Sequence, residues 1–139
     1  MTPILYLVIP CYNEEQVLPI TAPIFAGKLN ELIEKKEISD KSRVLFVNDG
    51  SGDSTWEILE NMSKEQSLIK GICLSRNMGH QNALLAGLMT AKEECDVTVS
   101  IDCDGQDDIN AVDKMLAEYK DGCDIVYGVR DSRKPVSFF

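Results

Sequence analysis

The feature that most constrains this chain is an alternation: short, nearly unbroken apolar runs separated by stretches of helical periodicity. Residues 4–9 (ILYLVI), 43–47 (RVLFV), 69–74 (IKGICL), 96–101 (DVTVSI) and 123–129 (CDIVYGV) have the length and composition of strands. A strand with one wet face alternates apolar and polar residues. These runs do not, so both of their faces must be covered. The intervening segments supply the cover. Residues 17–37 carry Ile24, Phe25, Leu29, Leu32 and Ile33 at helical spacing, with Pro19 and Pro23 confining or kinking the first turns. Residues 54–66 open on Ser54 and Glu57, the spacing of a capping box. Residues 79–94 are rich in Ala, Leu and Met, and residues 110–119 open on Asn110 and Asp113 in a cap-like pattern. The expected fold class is α/β: a mainly parallel sheet with helices on both faces. The 139 residues hold no repeat, linker or low-complexity tract, so one domain over 1–139 is expected.

Composition excludes several roles. The net charge of -9 argues against nucleic acid, which favours a basic face. It does not exclude an anionic small ligand, provided a divalent cation bridges ligand and protein. No apolar run reaches the roughly 18 residues of a membrane span. The apolar start lacks a basic region and a cleavage site, so it reads as a strand, not a signal peptide. Cysteines stand at 11, 73, 95, 103 and 123, an odd number without a C-x-x-C pair. Reduced thiols in a cytoplasmic protein are expected.

The polar residues collect in one place along the pattern. CYNEE follows the first strand, NDGSGD the second, SRNMGH the third and DCDGQDD the fourth. All lie beyond the carboxyl ends of strands, the edge at which open α/β sheets bind ligands. Asp102-Cys103-Asp104 is the sharpest of these motifs. Residues i and i+2 of an extended segment point to the same side, so the two carboxylates form a hard-oxygen pair suited to Mg²⁺ or Mn²⁺. Gln106 continues the series and can add a neutral oxygen. The alternative is a polar turn with an Asp cap. Two like charges at the end of a buried strand need something to offset their repulsion.

The other loops read less sharply. Gly50 and Gly52 permit tight turns, and Asp49 can accept a hydrogen bond from a base or ribose. Asp53 and Ser54 suit helix caps. Position 55 is Thr, so the third glycine of a dinucleotide fingerprint is missing. Tyr12 can stack beside a base and Glu14 can bond it, although a turn and helix start explain both equally. Arg76 can offset carboxylates or reach a phosphate. His80 is the only histidine, and with scattered Cys it offers no zinc spacing; a capping or surface role is expected. Arg130, Arg133 and Lys134 form a basic cluster able to hold phosphate, or a solvated loop.

Taken together, VIPCYNEE, VNDGSGDST, LSRNMGHQNALLAGL, SIDCDGQDD and VYGVRDSRK resemble glycosyltransferase family 2, in its polyprenyl-phosphate branch. The resemblance runs in order over essentially the whole chain. It implies the Rossmann-like, nucleotide-binding half of a GT-A fold, and metal-dependent, inverting sugar transfer from a UDP- or GDP-sugar. A lipid phosphate is the implied acceptor. By position it places Pro10, Tyr12 and Glu14 at the base, Asp49 on the base and Arg76 near the nucleoside. It places Asp102 near ribose and metal, Asp104 on the metal with help from Gln106, and Arg130 at the phosphates. Departures are Ile109 where relatives often have Pro, Gly105 where they carry a bulky apolar residue, and Val136 where they often carry an acid. Family members continue past this region with acceptor-side strands, a general base and often membrane helices. The expectation is therefore an N-terminal piece whose intact form works at the cytoplasmic face of a membrane, touching it only through segments beyond this chain. An uncovered acceptor side would favour homo-oligomers. Two other readings stay open on the residues alone: a sugar nucleotidyltransferase and a receiver-like signalling module.

Overall fold

The computed structural model describes residues 2–128. Within them the order is β1 (Leu5–Cys11), α1 (Leu18–Glu34), β2 (Arg43–Asn48), α2 (Thr55–Glu65), β3 (Ile69–Cys73), α3 (His80–Ala91), β4 (Val97–Ser100) and α4 (Ala111–Lys120). The four strands form one sheet in the order β3-β2-β1-β4. Every pairing is parallel, with Tyr6 opposite Arg43, Leu5 opposite Val97 and Val44 opposite Ile69. The described residues fall into two compact units, one ending at Ile109 and one beginning at Asn110. The sheet and the candidate site belong to the first.

In β1 and β2 the unbroken apolar runs are explained by burial from both sides, whereas the edge strands β3 and β4 are mostly half-buried. All seven residues of β1 are buried. Its alternate side chains serve two cores. Tyr6 and Val8 join Leu45, Val47, Ala83 and Ala91 under α3. The opposite face carries Leu5, Leu7, Ile9, Val44 and Phe46, and Phe46 meets Phe25 of α1 at a ring separation of 6.3 Å. Helix α3 lies so close to the sheet that a Cβ on Gly87 would stand 2.6 Å from Val8 Cγ1 and 2.7 Å from Val47 Cγ2. Only glycine fits there without moving two core valines.

Several sequence expectations shift at their edges. Helix α1 runs unbroken through Pro23, with Pro19 in its first turn, where a missing N–H costs nothing. β1 extends past Pro10 to Cys11, and Pro10 pairs with Val47. The Ser54–Glu57 capping box does not form; Ser54 makes no side-chain cap bond. Asp53 takes that role, its Oδ1 accepting both the N–H and the hydroxyl of Thr55 at 2.9 and 2.5 Å. The run at 123–129 forms no strand over its described residues, 123–128. There Ile125 and Tyr127 are 71% and 83% exposed. An apolar run becomes a strand only when a neighbour completes its ladder, and hydropathy alone does not supply one.

Candidate functional site

The loops beyond β1, β2 and β3 are bonded into one scaffold. Asn13, at φ 52°, donates its N–H to Ser51 Oγ at 2.9 Å and accepts the Gly52 N–H at 2.9 Å. Glu14 N–H reaches Thr55 Oγ1 at 2.9 Å, Glu15 N–H reaches Asp53 Oδ2 at 3.2 Å, and Ser54 N–H reaches Glu15 Oε2 at 3.0 Å. Asp49 ties three loops together. Its N–H bonds Cys11 O at 2.8 Å, and its Oδ1 accepts the Met78 N–H at 2.7 Å. Beside it, Gly50 at φ 64° lies against the next loop, where a Cβ would come within 2.2 Å of the Arg76 carbonyl carbon. This contact explains the glycine: the left-handed conformation and the backbone contact both exclude a side chain.

A cleft of about 620 Å³ opens on this scaffold. Pro10, Cys11, Tyr12 and Glu14 line it from the end of β1, and Asp49 from the end of β2. Asn77, Gly79 and His80 come from the β3–α3 loop and helix start, and Asp102, Cys103 and Asp104 from beyond β4. Six residues singled out from sequence therefore converge: Pro10, Tyr12, Glu14, Asp49, Asp102 and Asp104. Arg76 and Gln106 stand outside the lining; Arg76 contributes backbone packing to Gly50, and Gln106 donates its N–H to Asp104 Oδ1 at 3.0 Å. Arg130, Arg133, Lys134 and Val136 lie outside the described residues.

A smaller groove elsewhere, of about 530 Å³ and lined by Tyr6, Lys70 and Glu94 near the amino ends of the strands, is occupied by its own polar network. Tyr6 donates to Glu94 Oε2 at 2.8 Å, and Lys70 pairs with Glu94 at 2.9 Å. The carboxylates singled out from sequence, Glu14, Asp49, Asp102 and Asp104, all line the larger cleft.

Electrostatics mark the cleft as short of positive charge. The Glu14 carboxyl is pushed above its ordinary range, first by burial, then by the negative charges of Asp104 and Asp53. A divalent cation held by Asp102 and Asp104 would relieve that crowding. The donor set fits such an ion as two hard oxygen ligands, leaving the remaining positions for ligand oxygens. Among the described residues no group of three or more His, Cys, Asp or Glu is placed to hold a metal ion by itself. Under the carboxylates, Cys11 and Cys103 are both buried, and the Cys11 thiol is pushed far up by its hydrogen bond to Cys103 and by burial. All five cysteines are free.

His80, expected from sequence in a capping or surface role, is 60% exposed at the first residue of α3, but its approach to Asp102 was not foreseen. Its Nε2 stands 3.7 Å from Asp102 Oδ1 across the cleft. The available signal was its place in the loop after β3, on the same edge as the acids.

A parallel α/β sheet that gathers acids around one cleft at its carboxyl edge is the architecture of a ligand-binding enzyme domain. Comparison narrows the class: the sequence profile of glycosyl transferase family 2 matches residues 6–139, and the chain belongs to that family. The uncharacterized glycosyltransferase YkoT of Bacillus subtilis (strain 168) is 46% identical over 137 residues, covering 99% of this chain and 41% of the relative. The prophage bactoprenol glucosyl transferase homolog of Escherichia coli (strain K12) is 34% identical over 127 residues, covering 91% and 39%. The chain thus spans about two fifths of the length of the curated relatives it matches. Among solved structures, S. aureus TarS 1-349 in complex with UDP aligns at a TM-score of 0.58 and 21% identity, covering 84% of this chain and 33% of that one. Mannosyltransferase PcManGT from Pyrobaculum calidifontis, in complex with GDP-Man and Mn²⁺, aligns at 0.53 and 24%, covering 75% and 28%. At these identities the likeness establishes the fold, the α/β sheet expected for a GT-A glycosyltransferase. Family membership decides against the receiver-like and nucleotidyltransferase readings. Among the described residues no helix is long and apolar enough to cross a membrane.

Proposed function

We propose that the protein is a metal-dependent, inverting glycosyltransferase whose residues 1–139 form one nucleotide-sugar-binding domain. One observation carries the reading: Asp102 and Asp104 reach the same cleft as Asp49, Glu14 and Tyr12. Tyr12 and Glu14 flank the base, and Asp49, held in place by the Met78 N–H, accepts from it. Asp104 and Asp102 hold Mg²⁺ or Mn²⁺, with Gln106 assisting. When bound, the ion supplies positive charge to the leaving diphosphate. By family position Arg76 serves the nucleoside, which it must reach from outside the cleft lining, and Arg130 serves the phosphates. The acceptor attacks the anomeric carbon on the face opposite the departing diphosphate, which inverts that centre.

The donor is a UDP- or GDP-sugar; the structures of TarS with UDP and of PcManGT with GDP-Man and Mn²⁺ support that choice. The acceptor is polyprenyl phosphate. The names of the bactoprenol glucosyl transferase homolog and of an undecaprenyl-phosphate 4-deoxy-4-formamido-L-arabinose transferase from Pseudomonas fluorescens, 31% identical, support it. Free thiols and a nucleotide-sugar donor fit a cytoplasmic location.

A thermal-shift screen of UDP- and GDP-sugars with Mn²⁺ tests the reading. Ligand at about 100 times its Kd stabilises by roughly 2.7 kcal/mol, which moves Tm by several degrees. At least one donor should produce that shift; a flat screen across both nucleotide series overturns the proposal.

A further inference from the structure

We propose that His80 binds the donor's diphosphate, donating a ring N–H from the cleft wall. The inference rests on the donor-site reading above and assigns a residue that reading leaves unused. Four carboxylates line the cleft: Glu14, Asp49, Asp102 and Asp104. A diphosphate brings further negative charge into that setting. Among the described ionisable side chains lining the cleft, the imidazole of His80 is the one with a nitrogen donor. Arg76, the cation expected from sequence, stands outside the lining.

The geometry leaves the imidazole available. His80 Nε2 lies 3.7 Å from Asp102 Oδ1, beyond hydrogen-bond reach, so this carboxylate does not consume its N–H. The side chain is 60% exposed and begins α3 at the cleft wall, where it lacks a hydrogen bond to any described residue. An imidazole donates from Nε2 in its charged form and in one neutral tautomer, so the role does not depend on a particular protonation state. A group this close to Asp102 is also close to any cation that Asp102 holds, and therefore to the ligand oxygens that cation gathers.

His80 is the only histidine in the chain, so its ring protons are an unambiguous reporter. The experiment uses proton NMR of the 139-residue chain, with UDP and GDP each added with Mg²⁺, then with Mn²⁺. Calorimetry on the same samples fixes occupancy. With Mg²⁺ and whichever diphosphate binds, the His80 ring signals should shift; with Mn²⁺ they should broaden; with the nucleoside alone they should stay in place. His80→Ala should weaken diphosphate binding by about 10-fold or more, and His80→Gln, which keeps a side-chain N–H, should recover most of that loss. Unmoved ring signals at full occupancy, or His80→Ala binding as tightly as wild type, overturn the role of His80 and leave the donor site standing. Failure of the wild-type chain to bind either diphosphate overturns the donor site and this inference together.

Discussion

Replacing Gly50 by alanine probes the joint on which the cleft is built. The added Cβ would lie 2.2 Å from the Arg76 carbonyl carbon, 2.3 Å from the Asn77 nitrogen and 2.7 Å from the Arg76 Cα. All three are backbone atoms, so no rotamer change relieves the clash; the β2–α2 and β3–α3 loops must separate. Holding alanine at a φ of 64° adds a left-handed penalty of about 1 kcal/mol. Overpacking adds about 1–3 kcal/mol. Separation also strains the Asp49–Met78 bond, whose loss leaves a buried Asp49 oxygen unpaired, at a further cost of about 1 kcal/mol or more. Gly50→Ala should therefore destabilise by roughly 3–5 kcal/mol, a large share of the stability of a domain this size. Urea denaturation measures the loss, with Tm falling by about 10 °C. Nucleoside diphosphate affinity should fall in parallel, because Asp49 no longer faces the cleft. A loss under about 1 kcal/mol with binding intact would refute the argument, since it would mean the two loops are not in register as described.

The helix α2 cap gives a paired test: Asp53→Ala should cost about 1–2 kcal/mol in urea, whereas Ser54→Ala should stay within about 0.5 kcal/mol, because Asp53 and not Ser54 serves Thr55. Gly87→Ala forces a methyl onto Val8 and Val47 and should cost about 1–3 kcal/mol, less than Gly50→Ala because side chains can give way. Glu14 offers a pH test. Its folded-state pKa is raised, so the folded chain holds that proton more tightly than the unfolded chain, and the stability this contributes is lost as pH rises through the raised pKa. Glu14→Gln should therefore melt above wild type at about pH 7 and converge with it toward about pH 4, read from Tm across a pH series.

How much of this was legible depends on how local the cause was. β1 and β2 were legible because strands covered on both faces must be apolar throughout. Asp102 and Asp104 line one cleft as expected, but through a turn at Cys103 and Asp104 after β4 ends at Ser100, not through the extended segment from which the pairing was read. The residues at 123–128 misled because strand formation depends on a pairing partner that composition does not specify. The capping box misled because Asp53 competes for the same helix start one residue earlier. The stitching of Asn13 to Ser51 and Gly52, and the approach of His80 to Asp102, join residues from different loops. Such contacts are fixed by the register of β1 against β2 and β4 and have no signature in either loop alone.

The central claim is that two carboxylates beyond β4 grip a cation that in turn grips a pyrophosphate. Calorimetric titration of UDP and GDP into the chain, with Mn²⁺ and again with EDTA, tests it most directly. The account predicts binding of one diphosphate with Mn²⁺, loss of most of that affinity in EDTA, and a comparable loss in Asp104→Asn with the metal present. Equal affinity with and without the metal would contradict it.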